Sequence, residues 1–371
     1  MEYLERFIIT LMAHAKCTIV VGGQYGSEGK GKVVALLSRS GEPWVVRCGG
    51  PNSGHTTQVD DREVIVRQIP AAVSNRSATL LVAAGCVVDE DVLVQEARLL
   101  SVDSKQLIVD PRAVLLEDTD RDAETDSVFR IGSTASGTGS AISRRLLRRA
   151  DVRLARDSEL LRSVARVESV APLLHHHLSG GGNVIVEGTQ GFGLSILHSP
   201  FYPFATARDT IAAGFCSEVG LSPRAVTDVV LVARTYPIRV GGNSGPLQNE
   251  ITWEEVRTRS GAPNVVPEYT SVTKRLRRVG EFDFDLLTTA IQYNAPTALA
   301  IMGLDRLDFV NTGATSVEQL TSIALEFVAR VENLSKVPVT YVGTGFGTFD
   351  AIDLRGQDSF AVRTSRSAAR A

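Results

Sequence analysis

The residues able to do chemistry in this 371-residue chain gather in short polar, glycine-rich stretches, each just after an apolar run. The first is Cys17 to Lys32, C-T-I-V-V-G-G-Q-Y-G-S-E-G-K-G-K. Its glycines let backbone N–H groups approach an anion, and an apolar helix pattern from Lys30 to Leu37 adds a positive dipole end. Lys30 and Lys32 add charge. Gly26-x4-Gly31-Lys32 has P-loop spacing, but Val33 stands where that pattern has a Mg²⁺-holding hydroxyl. A glycine turn with a solvated lysine pair is the plain alternative. The placement after a strand and before a helix favours phosphate.

Further loops repeat the theme. Pro43 to Cys48 reads as a strand and runs into Gly49 to Thr57, G-G-P-N-S-G-H-T-T. His55 falls on neither a helix nor a strand face. It fits a turn histidine bonded to backbone, or a general acid beside a phosphate, since histidine titrates near neutrality. Ile131 to Ser143 mixes glycines and hydroxyls ahead of Arg144, Arg145, Arg148 and Arg149, an anion site or a linker before a solvated helix face. Glu187 to Gly193 and Ala205 to Gly214 follow in the same style. Tyr269 to Gly280 holds Lys274, Arg275, Arg277 and Arg278, and arginine forks fit carboxylates, so an acidic substrate is expected. Asp305 follows a strand and either accepts from a base edge or caps a turn. Gly343 to Gly347 is the last such loop.

The elements that must carry these loops alternate. Strand patterns at Thr18–Val21, 43–48, Val64–Ile69, Thr79–Ala83, Gln106–Val109, Ala113–Leu116, Asn183–Val186, Val226–Val232, Thr297–Ile301 and Val339–Val342 are interspersed with helix patterns. The helices are expected at Asp89–Leu100, Asp157–Leu178, Trp253–Ser260, Phe282–Asn294 and Val317–Leu334. Alternation predicts an α/β fold, a large mostly parallel sheet with helices on both faces, with residues 1–355 as one catalytic domain. Ligands bind such sheets at the carboxyl ends of strands, where these loops lie. The tail from 356 to 371 is polar and reads as disordered. His175–His177 precede a glycine C-cap and read as structural.

Composition narrows the class. A hydrophobic fraction of 43% and a charged fraction of 22% are ordinary for a globular protein. A net charge of −3 and a pI near 6.1 give no reason to expect nucleic-acid or membrane partners. Four scattered cysteines without metal spacing, and the absence of a membrane-length apolar run, predict a reduced cytoplasmic protein. Residues 1–12 make a poor signal peptide, and Met12 is an alternative start.

Taken in order, the loops resemble the adenylosuccinate synthetase family from about Cys17 to Thr344. G-Q-Y-G-S-E-G-K-G-K is similar to that family's G-Q-W-G-D-E-G-K-G-K, and R-C-G-G-P-N-S-G-H-T to R-x-x-G-x-N-A-G-H-T. I-G-S-T-A-S-G-T-G is similar to I-G-T-T-x-R-G-I-G, E-G-T-Q-G to E-G-A-Q-G, and F-Y-P-F-A-T to T-Y-P-Y-V-T. The resemblance implies a Mg²⁺-dependent ligase with a nucleotide-binding P-loop-like fold. It phosphorylates a 6-oxopurine nucleotide at the 6-oxygen with a nucleoside triphosphate, and aspartate then displaces phosphate. It implies that Ser27, Lys30, His55 and Gln190 stand at the reacting centre. It implies Ser27, Asn52, Ser133, Thr134, Gln190 and Thr210 on the monophosphate nucleotide, with Arg148 reaching the neighbouring subunit of a homodimer. Gly29, Lys30, Gly31, Lys32, Gly54, His55 and Thr56 would hold the triphosphate, with Asp305, Thr344 and Gly345 at its base. Thr273, Arg275 and Arg277 would hold aspartate, and Ser27 and Gly54 would ligate the metal.

Two departures set the expected substrates. Ser27 replaces the family's aspartate, which takes the N1 proton and ligates Mg²⁺; a serine is a poor base at neutral pH. The exchange makes room beside N1 for a 2-amino group. In this the chain resembles the phage-type branch of the family, the 2-amino-2′-deoxyadenylosuccinate synthases, which use dGMP on the route to diaminopurine DNA. Gly303 replaces a lysine that helps select GTP, so ATP or dATP is the expected donor. The segment from Asp308 to Val339 is short, as in compact archaeal and phage forms. The competing expectations are an ordinary adenylosuccinate synthetase acting on IMP with GTP, and a catalytically silent nucleotide-binding paralogue.

Overall fold

The computed structural model describes residues 15–270 and 274–356. Ten strands form one sheet. In spatial order they are Ala351–Asp353, Val339–Gly343, Ala298–Met302, Asp228–Arg234, Lys16–Gly22, Asn183–Glu187, Trp44–Arg47, Thr79–Val82, Leu107–Val109 and Arg166–Val167. Every pairing is parallel except the antiparallel edge, Val339–Gly343 with Ala351–Asp353. The expected α/β architecture is thus the observed one. The β-branched run of Lys16–Gly22 is central because both its faces are covered by other elements, as parallel strands require. Chain order reverses on either side of it, so its end is the switch point where such sheets bind ligands.

Strand ends and helix starts therefore converge. Glycine-rich residues 23–29 link the central strand to the helix Lys30–Leu37, and Gly29 at φ 100° caps it in the left-handed region. A smaller three-stranded sheet, Ile238–Arg239, Arg278–Gly280 and Glu250–Ile251, carries the foot of the arginine loop. The four cysteines are free and buried, as expected. Among the described residues no helix is long and apolar enough to cross a membrane.

Three expectations are corrected. His55 does begin a strand, His55–Val59, paired antiparallel with Arg62–Val66. The turn is Asp60–Asp61, both at positive φ (47° and 61°), the two-residue geometry that matches strand twist. The long helix expected over 157–178 is broken into Glu159–Arg162, the edge strand Arg166–Val167 and Val170–Ser179. Sheet pairing with Leu107–Val109 and a backbone bond from Val170 N to the Asp110 carboxylate (2.9 Å) override helix propensity there. The helix expected from Val317 begins only at Ser322, after a short 3₁₀ turn. Thr273 and residues 357–371 of the expected tail lie outside the described residues.

The hairpin bearing His55 is tied down from the next helix, Glu90–Leu99. The Glu96 carboxylate accepts from the backbone N–H of Arg67 (2.6 Å), Gln68 (3.0 Å) and Ile69 (3.0 Å). Removing it strands three donors, and we expect Glu96→Ala to destabilise the fold by about 3 kcal/mol. Urea unfolding followed by circular dichroism measures it; a change under about 0.5 kcal/mol would contradict the account.

Candidate active site

A cavity of about 620 Å³ opens at the carboxyl end of the sheet. Ser27, Lys30, Asn52, Gly54, His55 and Gln190 line one side. Ser133, Thr134 and Arg277 line the other. Loops remote in sequence, and singled out separately, thus share one chamber.

The floor is the phosphate loop, and a carboxylate folds it. Glu28, fully buried, accepts from Gln24 N (3.1 Å) and Gly26 N (2.8 Å) and pairs with Lys30 Nζ at 2.6 Å. Ser27, between them, sits at φ 57° with its side chain exposed on the cavity. A serine is uncommon in that left-handed region. Gly191 must be glycine, because a Cβ there would fall 2.2 Å from a Glu28 oxygen and 2.7 Å from Gly26 N.

His55 is oriented by Glu187, the last residue of the adjacent strand. Its Nδ1 bonds Glu187 Oε1, which also accepts from Arg47 Nη1 at 2.6 Å. The other Glu187 oxygen accepts from Ala71 N at 2.8 Å. Burial lowers the His55 pKa to about 4; the charges of Arg47 and Lys30 push the same way, and Glu187 opposes them. His55 is thus a neutral imidazole whose Nδ1–H donates to Glu187 and whose Nε2 carries a lone pair. The acid role expected of His55 requires a proton that anionic phosphates nearby would favour.

Other expected residues lie elsewhere. Thr210 is fully buried and its hydroxyl donates to Gly191 O (2.9 Å), whereas Thr206, four positions earlier, lines the cavity. Arg148 is exposed beyond the helix Thr138–Leu146 and outside the cavity. Lys32 points to the last glycine loop, donating to Gly345 O (2.9 Å) and Asp350 O (3.2 Å). Burial lowers its pKa against the opposing charges of Asp350 and Asp305. Thr344 beside it is buried with its hydroxyl on Ala314 O (2.8 Å). Lys32, Asp305, Thr344 and Gly345 form a second cluster on the other side of the helix start. Gly29, Gly31, Thr56 and Arg275 do not line the cavity.

Sequence inspection missed Glu28, Glu187, Arg47, Thr206 and Glu124. Glu124 takes three N–H groups at the start of the helix Thr138–Leu146: Gly137 (2.8 Å), Gly139 (2.5 Å) and Ser140 (3.1 Å). That helix end is therefore filled by a carboxylate, and the hydroxyl residues Ser133, Thr134 and Thr206 line the cavity beside it. The only available signal for Glu187 was its place at the end of a buried strand. On the arginine side, Arg277 Nε is buried without a partner among the described residues, as is Nε of Arg239. Arg239 also lies over the ring of Tyr25 at 4.5 Å.

These observations give two expected outcomes. Glu187→Gln, which keeps the shape and removes the charge that would support a protonated His55, lowers kcat about 100-fold in a phosphate-release assay. Because the folded His55 titrates near 4 instead of the usual 6.5, the unfolded chain binds a proton first as pH falls. Its stabilising contribution is therefore complete above pH 6.5 and is lost towards pH 4. His55→Gln should flatten the decline in Tm across that window, measured by scanning calorimetry.

The family model described as adenylosuccinate synthetase matches residues 19–160 and 158–312. The adenylosuccinate synthetase of Methanocaldococcus jannaschii is 37% identical over 348 residues, 92% of this chain and 97% of its own. That of Archaeoglobus fulgidus is 37% identical over 344 residues, 91% and 98% of the two chains. Among solved structures, fully ligated adenylosuccinate synthetase from Plasmodium falciparum superposes with a TM-score of 0.79 at 20% identity, covering 91% of this chain and 99% of its own; this is a likeness of fold. The succinoaminodeoxyadenylate synthetase of cyanophage S-2L, bound to dGMP and to dATP as energy donor, has a TM-score of 0.76 at 27% identity, covering 96% and 99%.

Proposed function

The chain belongs to the adenylosuccinate synthetase family, and from that premise we propose that it condenses L-aspartate with the 6-oxo position of dGMP. ATP or dATP drives the reaction, and the product is N6-succino-2-amino-2′-deoxyadenylate. The observation that carries the choice of purine is Ser27. It lines the cavity, the resemblance matches it to the family's aspartate, and among the described residues no neighbouring carboxylate is free to replace that group. Glu28 is committed to the loop and to Lys30. Glu124, the one carboxylate among the residues lining the cavity, is committed to three N–H groups. A hydroxyl beside N1 leaves space, and no negative charge, next to a 2-amino group. The cyanophage protein's dGMP and dATP support the same reading.

The chemistry balances without a redox partner. The purine 6-oxygen attacks the γ-phosphorus, the nucleoside diphosphate leaves, and N1 gives up its proton to water. The aspartate amine then attacks C6 and expels phosphate carrying the former 6-oxygen, and the nitrogen loses a proton. Lys30 and His55 stand where charge develops on the transferring group, so catalysis is positioning and neutralisation. Arg277, with its unpartnered Nε, would take an aspartate carboxylate, together with Arg275 and Thr273. Asn52, Ser133, Thr134, Gln190 and Thr206 would hold the nucleoside monophosphate.

The donor base would sit at the second cluster. Gly303 has φ 85° and gives its carbonyl to Thr235 Oγ1 at 2.7 Å. A lysine there would adopt a disfavoured backbone conformation. This favours ATP or dATP over GTP. Among the described residues no group of three or more acidic, histidine or cysteine side chains could hold a metal, so Mg²⁺ would rest on few protein oxygens and mainly on the phosphates. Ser27 Oγ and Gly54 O would ligate it alongside phosphate oxygens. Bound there, it would neutralise phosphate charge during transfer. Arg148, exposed next to Leu146 and Leu147 (74% and 69% exposed), would reach the monophosphate of a second copy in a homodimer.

The second reading, an ordinary IMP-using enzyme, is favoured by the higher identity to the archaeal synthetases. A substrate panel decides between them. We expect phosphate release and a succinylated product with dGMP and ATP, and little with IMP. Ser27→Asp should shift the kcat/KM ratio towards IMP by about 100-fold. An unchanged ratio would refute the role given to Ser27.

A further inference from the structure

One buried arginine outside the reacting set links two parts of the site. Arg234 ends the strand Asp228–Arg234 beside the central strand. The Gln24 side-chain amide grips its backbone on both sides, Nε2 to Arg234 O and Oε1 from Arg234 N, each at 3.0 Å. The phosphate loop is thereby fixed to the end of that strand. The guanidinium then does two things at once. Nη1 donates to the backbone carbonyl of Ser27 (3.2 Å), and Nη1 and Nη2 hold the Glu268 carboxylate as a fork at 3.0 and 2.5 Å.

Glu268 stands at the root of the arginine loop. Its carbonyl accepts from Arg277 N at 2.8 Å, so the residue that lines the cavity is hung from the residue that Arg234 holds. The same carboxylate lies 4.0 Å from Arg306 Nη2 and in the field of Arg277. Burial would raise its pKa, but these cations, Arg234 first, hold it down at about 2, so it is charged throughout the working range. The position of Ser27 is correspondingly sensitive. Its φ of 57° directs its carbonyl away from ordinary loop geometry, and Arg234 is the side chain that satisfies that carbonyl.

We propose that Arg234 and Glu268 form a positioning pair that couples the seat of Ser27 to the arginine loop, so that the loop binding the amino-acid carboxylates and the loop facing the purine are set as one unit. Neither residue touches substrate. The pair acts because a guanidinium fork has donors for the Ser27 carbonyl and for both carboxylate oxygens, which a lysine cannot serve together. Carboxylates arriving at Arg277 add negative charge beside Glu268, so occupancy of the arginine loop bears on the ion pair that supports Ser27. This rests on the assignment of the arginine loop to aspartate, and is independent of which purine is used.

The test is steady-state kinetics on the full chain, with whichever of dGMP or IMP supports turnover, so that a wrong purine assignment does not affect it. Arg234→Lys, which keeps the charge and loses the fork, should lower kcat at least 10-fold and raise KM for aspartate at least 5-fold. KM for the triphosphate should stay within 2-fold. Glu268→Gln should give the same split. The double variant should lose no more than about the larger single loss, which is the signature of one unit. If Glu268→Gln does not fold, Glu268→Asp supplies the comparison, with a smaller loss of the same pattern. Variants that fold and keep kcat and KM for aspartate within 2-fold would overturn the proposal. So would equal rises in KM for all three substrates, the mark of a general structural role, or multiplicative losses in the double variant.

Discussion

The site depends on one buried carboxylate. Glu187 ends a strand next to the centre of the sheet and has no exposure to solvent. An isolated charge there would be prohibitively costly, so the fold surrounds it with donors. Arg47 comes from the next strand, His55 from the hairpin beyond it and Ala71 N from the turn after that hairpin. Four segments meet on one side chain, and the demand to satisfy it fixes where His55 stands. Glu28 does the same one strand over, holding the phosphate loop shut around its own carboxylate. Both catalytic candidates, Lys30 and His55, are therefore placed by acids rather than by each other.

That arrangement has an electrostatic consequence. Arg47, Lys30, Arg234 and Arg277 are all buried or nearly so, and each internal acid neutralises one part of the cluster. What is left over is a positive cavity with a neutral histidine, suited to a ligand that brings several negative charges at once. A nucleotide, a triphosphate and a dicarboxylic amino acid together meet that description. On the proposed reading, the loop residue facing the purine is selected by shape more than by charge, because the charge is supplied elsewhere. Ser27 is small and uncharged where the family's loop carries an aspartate.

Much of this was legible in the chain. Alternating strand and helix patterns gave the parallel sheet, and the helix at Trp253–Ser260 coincided with its expected bounds. The family resemblance of the polar loops points to Ser27, Lys30, Asn52, His55, Gln190 and Arg277, and all six line one cavity. What stayed hidden was everything set by long-range pairing. Glu28, Glu187 and Glu268 look like ordinary acidic residues until the folded chain surrounds them. His55 was placed outside a strand because the Asp60–Asp61 turn, with no glycine, is a weak hairpin signal. The long helix expected over 157–178 is broken because helical periodicity is local, whereas the edge strand Arg166–Val167 exists only through its neighbour in the sheet. The resemblance points to Thr210, and spacing alone cannot say that its hydroxyl turns to backbone while Thr206 lines the cavity.

The central claim is that the 6-oxygen of dGMP accepts the phosphoryl group and leaves with it. The most direct measurement uses dGMP carrying ¹⁸O at the 6-position, with aspartate, ATP and Mg²⁺, followed by mass spectrometry of the phosphate and the nucleotide. The account predicts that the released phosphate carries the label and that the product is the unlabelled succinyl adduct of the 2-amino purine. Unlabelled phosphate, or label transfer from ¹⁸O-labelled IMP and none from dGMP, would contradict it.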